Sequence, residues 1–445
     1  MTQSMDHLTS SLERLGKVAK QNKQLQFNNL MHHLTPALLF DAFNKLNKHA
    51  AKGVDGQSWQ DYAKDSEHRL ILLHERIQSG KYTPKPVKRQ WLPKGNGELR
   101  PIGITSLEDK IVQQALVQVL EPIYEADFLG FSYGFRPNRS QHQALDAVYM
   151  MVSFKKVSWV LDADLKGFFD NIDHTCLVDF IRRRIRDERV VKLIISWLTA
   201  GVMDRHTRHK SEVGTPQGAV ISPLLANIYL HYALDTWVVD WRLNKARGEV
   251  YIIRYADDFV MGFQYQDDGK RFKRDAEKRL GEVKLRFNES KTHLIEFGRF
   301  AQSNREQRGV GKPNSFDFLG FTHLCSTRID NGKFKLMRES IKKKLRAKIK
   351  QISQTLMQYR HKPLWELGSW LKKVLTGYYN YFAIPGNHTC LQTMRTEVAR
   401  AWIKAMRRRS HKGRNFNWFK MQRWIIRYSP HTRVRHPYPN QRFHL

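Results

Sequence analysis

Cysteine is nearly missing from this chain. Only Cys176, Cys325 and Cys390 occur in 445 positions. Their wide separation excludes a disulfide framework and any paired-cysteine module, so no zinc is expected, and it suits a reducing compartment. Acids are scarce too, with 42 Asp and Glu against 76 Lys and Arg, a formal net charge of +34. No run is apolar enough to cross a bilayer and the N-terminus lacks a secretory apolar core, so no membrane is expected as a partner. Fixed-period repeats and low-complexity tracts are also absent. What is present is 41% hydrophobic residues, enough for a sizeable core over two or three domains. The excess of positive charge predicts a polyanionic partner, with nucleic acid ahead of a membrane surface.

The charge is uneven. From Asn331 onward 27 Lys and Arg face three acids, Glu339, Glu366 and Glu397, a surplus of 24. Trp402, Phe416, Trp418, Phe419, Trp424 and Tyr428 lie among Arg407, Arg408, Arg409, Lys412, Arg414 and Arg427. Such mixtures suit phosphate contact and stacking on unpaired bases, with some rings reserved for the core. The stretch Arg414–Leu445 reads as a basic arm.

Three zones follow from periodicity. Residues 8–80 are helical, with Leu30, Leu34, Leu38, Leu39 and Phe43 as an apolar stripe. A mixed α/β zone runs over 81–321. Its expected strands are Ser158–Asp164, Glu249–Arg254, Phe259–Phe263 and Thr292–Phe297, and its expected helices Leu107–Leu120, Ser140–Val152 and Pro223–Val239. Helices are expected again over Leu336–Arg360, Pro363–Phe382 and Cys390–Arg409, with linkers at Ala301–Asn314 and Thr327–Lys333.

The most telling residues are Tyr255-Ala256-Asp257-Asp258. Two apolar runs, Val250–Ile253 and Phe259–Met261, flank adjacent carboxylates, the pattern of a β-hairpin with acids at its tip. Neighbouring Asp side chains repel in an apolar setting unless a cation lies between them, and hard oxygen donors suit Mg²⁺. A solvated acidic turn is the plain alternative. Strand geometry puts Asp162 and Asp164 on one face. If that strand lies beside the hairpin, Asp164 completes a three-carboxylate cluster for two divalent ions. Asp170 and Asp173 read better as helix caps.

The chain resembles the bacterial group II intron-encoded reverse transcriptases, or maturases, along nearly its whole length. The blocks that carry this are Trp91–Ile104, Tyr133–Pro137, Asp164–His174, Gly214–Gly218 with Ser222-Pro223, Tyr255–Asp258, Asn288–Thr292, Phe318–Phe321 and Gly377–Phe382. Their order and spacing make the resemblance specific. It implies an α/β right-hand polymerase with fingers and palm over 81–326, an N-terminal extension over 1–80, and an α-helical thumb/maturase domain with a basic tail over 335–445.

The resemblance also implies roles. Asp164, Asp257 and Asp258 would be catalytic and, with the Leu165 carbonyl, would hold two Mg²⁺, with Mn²⁺ as a possible substitute. Lys94 and Arg100, astride a tight turn, would face the triphosphate, or form an ordinary basic hairpin. Phe169 would exclude a 2′-hydroxyl, with Phe168 the competing assignment. Gln217 would touch the nucleotide or template, and Lys291 the phosphates, unless it is a solvated surface lysine. Arg136, Tyr255, Arg407, Arg408 and Arg409 would contact nucleic acid. The expected partners are intron RNA, an RNA template with DNA primer, dNTPs and a DNA target, in a bacterial cytoplasm, nucleoid-associated or within an RNP. The single cysteine after residue 330 leaves no HNH endonuclease, so target entry would use nicks, forks or single-stranded DNA. The rival readings are a non-catalytic RNA-binding splicing factor, and a same-fold enzyme recruited to repair, phage defence or spacer acquisition.

Overall fold

The computed structural model describes residues 2–93, 99–204, 207–209 and 213–442. Among them are eleven strands: β1 (Val87–Pro93), β2 (Leu99–Ile104), β3 (Trp159–Asp164), β4 (Val202–Asp204), β5 (Thr207–His209), β6 (Val250–Tyr255), β7 (Asp258–Phe263), β8 (His293–Glu296), β9 (Phe316–Phe318), β10 (Phe321–Thr327) and β11 (Phe334–Ser340). They form three sheets, ordered β2-β1-β4-β5, β6-β7-β3-β8 and β11-β10-β9.

The central sheet is the scaffold of the site, and alternation explains how. Leu161, Ala163, Phe259, Met261 and Phe263 point into the largest apolar core, which also takes in Leu30, Leu34, Leu38, Leu39 and Phe43. Val160, Ile253 and Val260 point the other way, into a core shared with Phe316, Phe318, Phe321 and Leu336. A period of two therefore puts Asp162, Asp164 and Asp258 on the face of Val160 and Val260. The third core belongs to the C-terminal helices and includes Leu356, Leu371, Leu391, Trp402 and Met421.

Side-chain caps set several helix starts. Thr35 accepts from the Leu38 amide at 3.2 Å, and Ser140 forms a capping box with Gln143 ahead of helix Gln141–Phe154. Asp187 caps Glu188–Thr199 through Arg189 N at 3.0 Å. It also accepts from Leu30 N and Met31 N at 2.8 and 3.0 Å, fastening the N-terminal segment. The stripe from Leu30 to Phe43 is buried but not one helix: a 3₁₀ turn Met31–His33 precedes helix Pro36–Lys45.

Three expectations change. Residues 334–340 are strand β11, not the start of a helix, which begins at Lys342. Leu336, Arg338 and Ser340 face inward at a period of two. The linker expected at Thr327–Lys333 is the hairpin connection between β10 and β11, with Thr327 opposite Phe334. The expected linker Ala301–Asn314 begins with helix Ala301–Gln307. No helix among the described residues is long and apolar enough to cross a membrane.

Candidate active site

β6 and β7 pair antiparallel with Tyr255 opposite Asp258, leaving Ala256 and Asp257 as a two-residue turn. Ala256 has φ +57°, the left-handed conformation that the first residue of a tight hairpin requires and that costs a side-chain-bearing residue about 1–2 kcal/mol. β3 pairs with β7 so that Asp164 lies opposite Asp258. Two carboxylates in directly opposed positions repel.

Titration behaviour reflects that crowding. Burial first, then Asp162, Asp257 and Asp164, push the Asp258 carboxyl up to about 8, against the opposing charge of Lys344. Burial raises Asp257, with Asp164 adding to it and Arg100 and Arg254 opposing. Asp162 is pushed up to about 7 by burial, Asp317 and Asp164. Asp164 itself is engaged: its Oδ2 accepts from Asn288 Nδ2 at 2.9 Å and pairs with Lys291 Nζ at 3.2 Å. Among the described residues no three His, Cys, Asp or Glu side chains converge as a ready metal-ligand set. The donor chemistry nevertheless fits a hard divalent cation, which would relieve the uncompensated charge at Asp257 and Asp258. Leu165 is buried in the main core, just beyond β3.

The neighbouring wall is built from a glycine-rich turn. Gly214 has φ +88°, and a Cβ there would sit 3.0 Å from both the Phe169 and Asp170 carbonyl oxygens. Thr215 N donates to the Phe169 carbonyl at 2.8 Å, and Gly103 N to the Gln217 carbonyl at 2.7 Å. Gln217 accepts from Arg100 Nε at 2.6 Å and donates to Asp170 Oδ1 at 3.4 Å. A cavity of about 330 Å³ opens here, lined by Arg89, Trp91, Pro101, Ile102, Gly103, Asp170, Gly214, Pro216 and Gln217 among others. Arg89 lies over the Trp91 ring, 5.6 Å from its centre. Phe168 is 1% exposed and packs edge-on against Tyr229, whereas Phe169 is half-buried.

The links among the expected residues are pairwise. Asp164 lies opposite Asp258, Lys291 meets Asp164, and the charge of Arg100 reaches Asp257. Arg100 also meets Gln217, whose turn contacts the Phe169 carbonyl; Lys94 lies outside the described residues. Lys291 is exposed and pairs with Asp164 from the solvent side. Asp173 caps helix His174–Arg182 through Cys176 N at 2.9 Å, as expected, but Asp170 caps nothing and meets Gln217. Tyr255 is half-buried, its ring 6.4 Å from that of Phe135.

Arg136 must be reassigned. Its side chain is 5% exposed and pairs with Glu125. It also donates to the Leu129 and Ser132 carbonyls at 2.7 and 2.8 Å, so this buried side chain braces its own loop rather than facing a nucleic acid. Arg407 and Arg409 donate to the Phe416 and His361 carbonyls at 2.6 and 3.0 Å. Each bond uses one nitrogen of the guanidinium and ties the C-terminal helices together; Arg407 and Arg408 are exposed and Arg409 is half-buried. The expected basic arm is no arm over its described length. Arg435 N donates to the Ala383 carbonyl at 2.8 Å, His436 stacks on His142 at 3.7 Å, and Arg442 pairs with Asp146 at 3.3 Å.

Sequence reasoning missed Arg89, Arg254 and Asn288. Asn288 and Trp91 stood inside recognised blocks without a role. Arg254 offered only an arginine inside an apolar strand, an oddity that should have prompted a search for a buried acid.

The family model described as reverse transcriptase (RNA-dependent DNA polymerase) matches residues 92–323. Group II intron-encoded protein LtrA of Lactococcus lactis subsp. cremoris is 38% identical over 240 residues, 53% of this chain and 39% of that protein. Protein YkfC of Escherichia coli K12 is 36% identical over 274 residues, 54% of this chain and 71% of that protein. Nuclear intron maturase 2, mitochondrial, of Arabidopsis thaliana is 34% identical over 99 residues, 22% of this chain and 13% of that protein. The match thus spans about two fifths of LtrA.

Proposed function

This chain belongs to the reverse transcriptase (RNA-dependent DNA polymerase) family, and from that premise we propose that it is a catalytically active member that binds group II intron RNA, assists its splicing and copies it into DNA for retrohoming. The observation that carries the catalytic reading is Asp164 set opposite Asp258 across paired strands, with Asp257 in the adjoining turn. A fold kept only to bind RNA has no use for half-buried, mutually repelling acids.

In this reading the central sheet is the palm, the β1–β2 hairpin with its sheet the fingers, and the helices after Lys342 the thumb. Asp164, Asp257 and Asp258, with the Leu165 carbonyl, would hold two Mg²⁺ or Mn²⁺. When bound, these ions would supply Lewis acidity to the primer 3′-hydroxyl and neutralise the triphosphate. Arg100, oriented by Gln217, presents a guanidinium to the phosphates, and Lys291 moves from Asp164 toward them. Phe169 underlies the sugar and leaves no room for a 2′-hydroxyl. Trp91 and Arg89, in the cavity beside Gln217, stack and fix the templating strand. Tyr255 packs beneath the primer end.

Primer extension on an RNA template with a DNA primer, dNTPs and Mg²⁺ tests this directly. The wild-type chain should synthesise DNA, and Asp257→Asn should reduce synthesis by at least about 1000-fold with unchanged folding and RNA affinity. Wild-type-level synthesis by Asp257→Asn would remove the hairpin acids from the chemistry.

A further inference from the structure

We propose that Arg254 is a positioning residue: together with Asp235 it clamps the strained turn that carries Asp257, and so sets the geometry of the catalytic carboxylates. The proposal rests on the polymerase reading above.

Arg254 lies in β6 and is fully buried, as is Asp235. A guanidinium at such depth is tolerable only when its charge and donors are all matched. Nε donates to Asp235 Oδ1 at 2.8 Å and an Nη to Oδ2, a two-pronged pair. The other Nη donates to the Ala256 carbonyl at 3.0 Å and to Asn227 Oδ1 at 3.2 Å. Asn227 in turn donates to the Gly134 carbonyl at 2.8 Å. Gly134 presses on the turn from outside, since a Cβ there would be 2.3 Å from Ala256 N. Asp235 closes a π-helical segment, His231–Asp235, that interrupts the helix after Leu230. A single wide turn of this kind shifts the helical register and often marks a functional site; here it ends at the residue that meets Arg254.

The site explains why such a clamp is useful. Ala256 adopts φ +57°, a conformation that needs support from its surroundings. The adjacent acids repel and gain nothing from staying close until cations arrive. A hydrogen bond to the Ala256 carbonyl holds the turn closed, and the guanidinium charge eases Asp257. A lysine could keep the pairing with Asp235, but not the planar fork that reaches Asp235 and Ala256 together.

That difference supplies the test. Four proteins are compared: wild type, Arg254→Lys, the apolar double variant Arg254→Met/Asp235→Leu, and a control, Arg184→Met/Asp127→Leu, which removes another buried ion pair. Thermal melts establish the folded fraction. Arg254→Lys should melt near wild type, yet lose about 10–100-fold in kcat and need severalfold more Mg²⁺ for half-saturation. The dNTP KM should hardly change. The Arg254→Met/Asp235→Leu protein should behave likewise, whereas the control should lose stability but keep its kcat and metal requirement.

Hydrogen–deuterium exchange at residues 255–258 gives a readout free of catalysis. It should accelerate at least tenfold in both Arg254 variants and not in the control. A folded Arg254→Lys protein with wild-type kcat, metal half-saturation and turn exchange would overturn the clamp. Should the wild-type chain make no DNA, the polymerase reading fails, and turn exchange still decides whether Arg254 holds the turn.

Discussion

Adjacent phenylalanines in this chain sit in different surroundings, and burial separates them. Phe168 is enclosed against Tyr229, so Phe168→Ala should cost about 3–5 kcal/mol in urea unfolding. Phe169 is half-buried beside the Gly214 turn. Phe169→Val should leave stability within about 0.5–1.5 kcal/mol but raise ribonucleotide incorporation relative to deoxyribonucleotide. Unchanged sugar selection with Phe169→Val would move the gate elsewhere. His323 offers a second test. Burial, with Arg338 adding its charge, pushes its imidazole down to about 3. Below pH 6.5 the unfolded chain takes up a proton that the folded chain refuses. Stability from this group is therefore complete above the unfolded value and is lost as pH falls, by about 1.4 kcal/mol per unit. His323→Gln should flatten the acid limb of the stability–pH curve between about pH 6 and 4 by that slope; an unchanged limb would mean another group controls it.

Elements were legible where a local pattern matched their environment. The β6–β7 hairpin announced itself because two apolar runs flank a polar pair, and the helix expected over Ser140–Val152 is observed as Gln141–Phe154, its start fixed by a capping box between Ser140 and Gln143. β11 was hidden by an apolar period that a helix could share, although Asp330-Asn331-Gly332 gave a turn signal. β4, three residues long, exists through pairing with β1, a strand more than a hundred positions away, which no local window can sense, and β5 pairs in turn with β4. The site divides likewise. Acids in a recognised block could be read; Arg254, Asn288 and Arg89 acquire meaning only from what folding brings beside them. Arg184 belongs to this class. It pairs with Asp127 at 3.1 Å and donates to the Ala19, Asn22 and Leu25 carbonyls at 3.1, 3.1 and 3.0 Å, tying the end of helix Thr2–Gln21 to the mixed zone. Arg184→Met strands a buried acid and should cost about 3–5 kcal/mol, with faster amide exchange over residues 10–25. A loss below 1 kcal/mol would show that the N-terminal helix docks by its apolar face alone.

Across the whole molecule the charge asymmetry must be divided between grip and brace. The surplus of 24 after residue 330 suggested Arg407–Arg409 as the main phosphate contact, but Arg407 and Arg409 each spend one nitrogen on a neighbouring carbonyl, and Arg435 and Arg442 fasten the tail. The better candidate for grip is helix Lys342–Gln358, where Lys342, Lys343 and Arg346 are exposed. The charge of its Lys344 reaches Asp258, so the start of this helix lies near the candidate carboxylates. Each phosphate neutralised contributes about −0.7 to −0.9 to the log–log dependence of affinity on salt. Lys342→Gln/Lys343→Gln/Arg346→Gln, which spares Lys344, should weaken RNA binding across sequences and flatten that slope by about 2–3, with its melting temperature unchanged. Arg407→Ala/Arg408→Ala/Arg409→Ala should show the reverse balance, a lower melting temperature with a smaller slope change of about 1–2, the share of the exposed Arg407 and Arg408. The two variants measured side by side decide the division. If the arginine variant carries the larger slope change at an unaltered melting temperature, those side chains leave their carbonyls for phosphates when RNA binds, and the grip lies at the far end of the C-terminal helices.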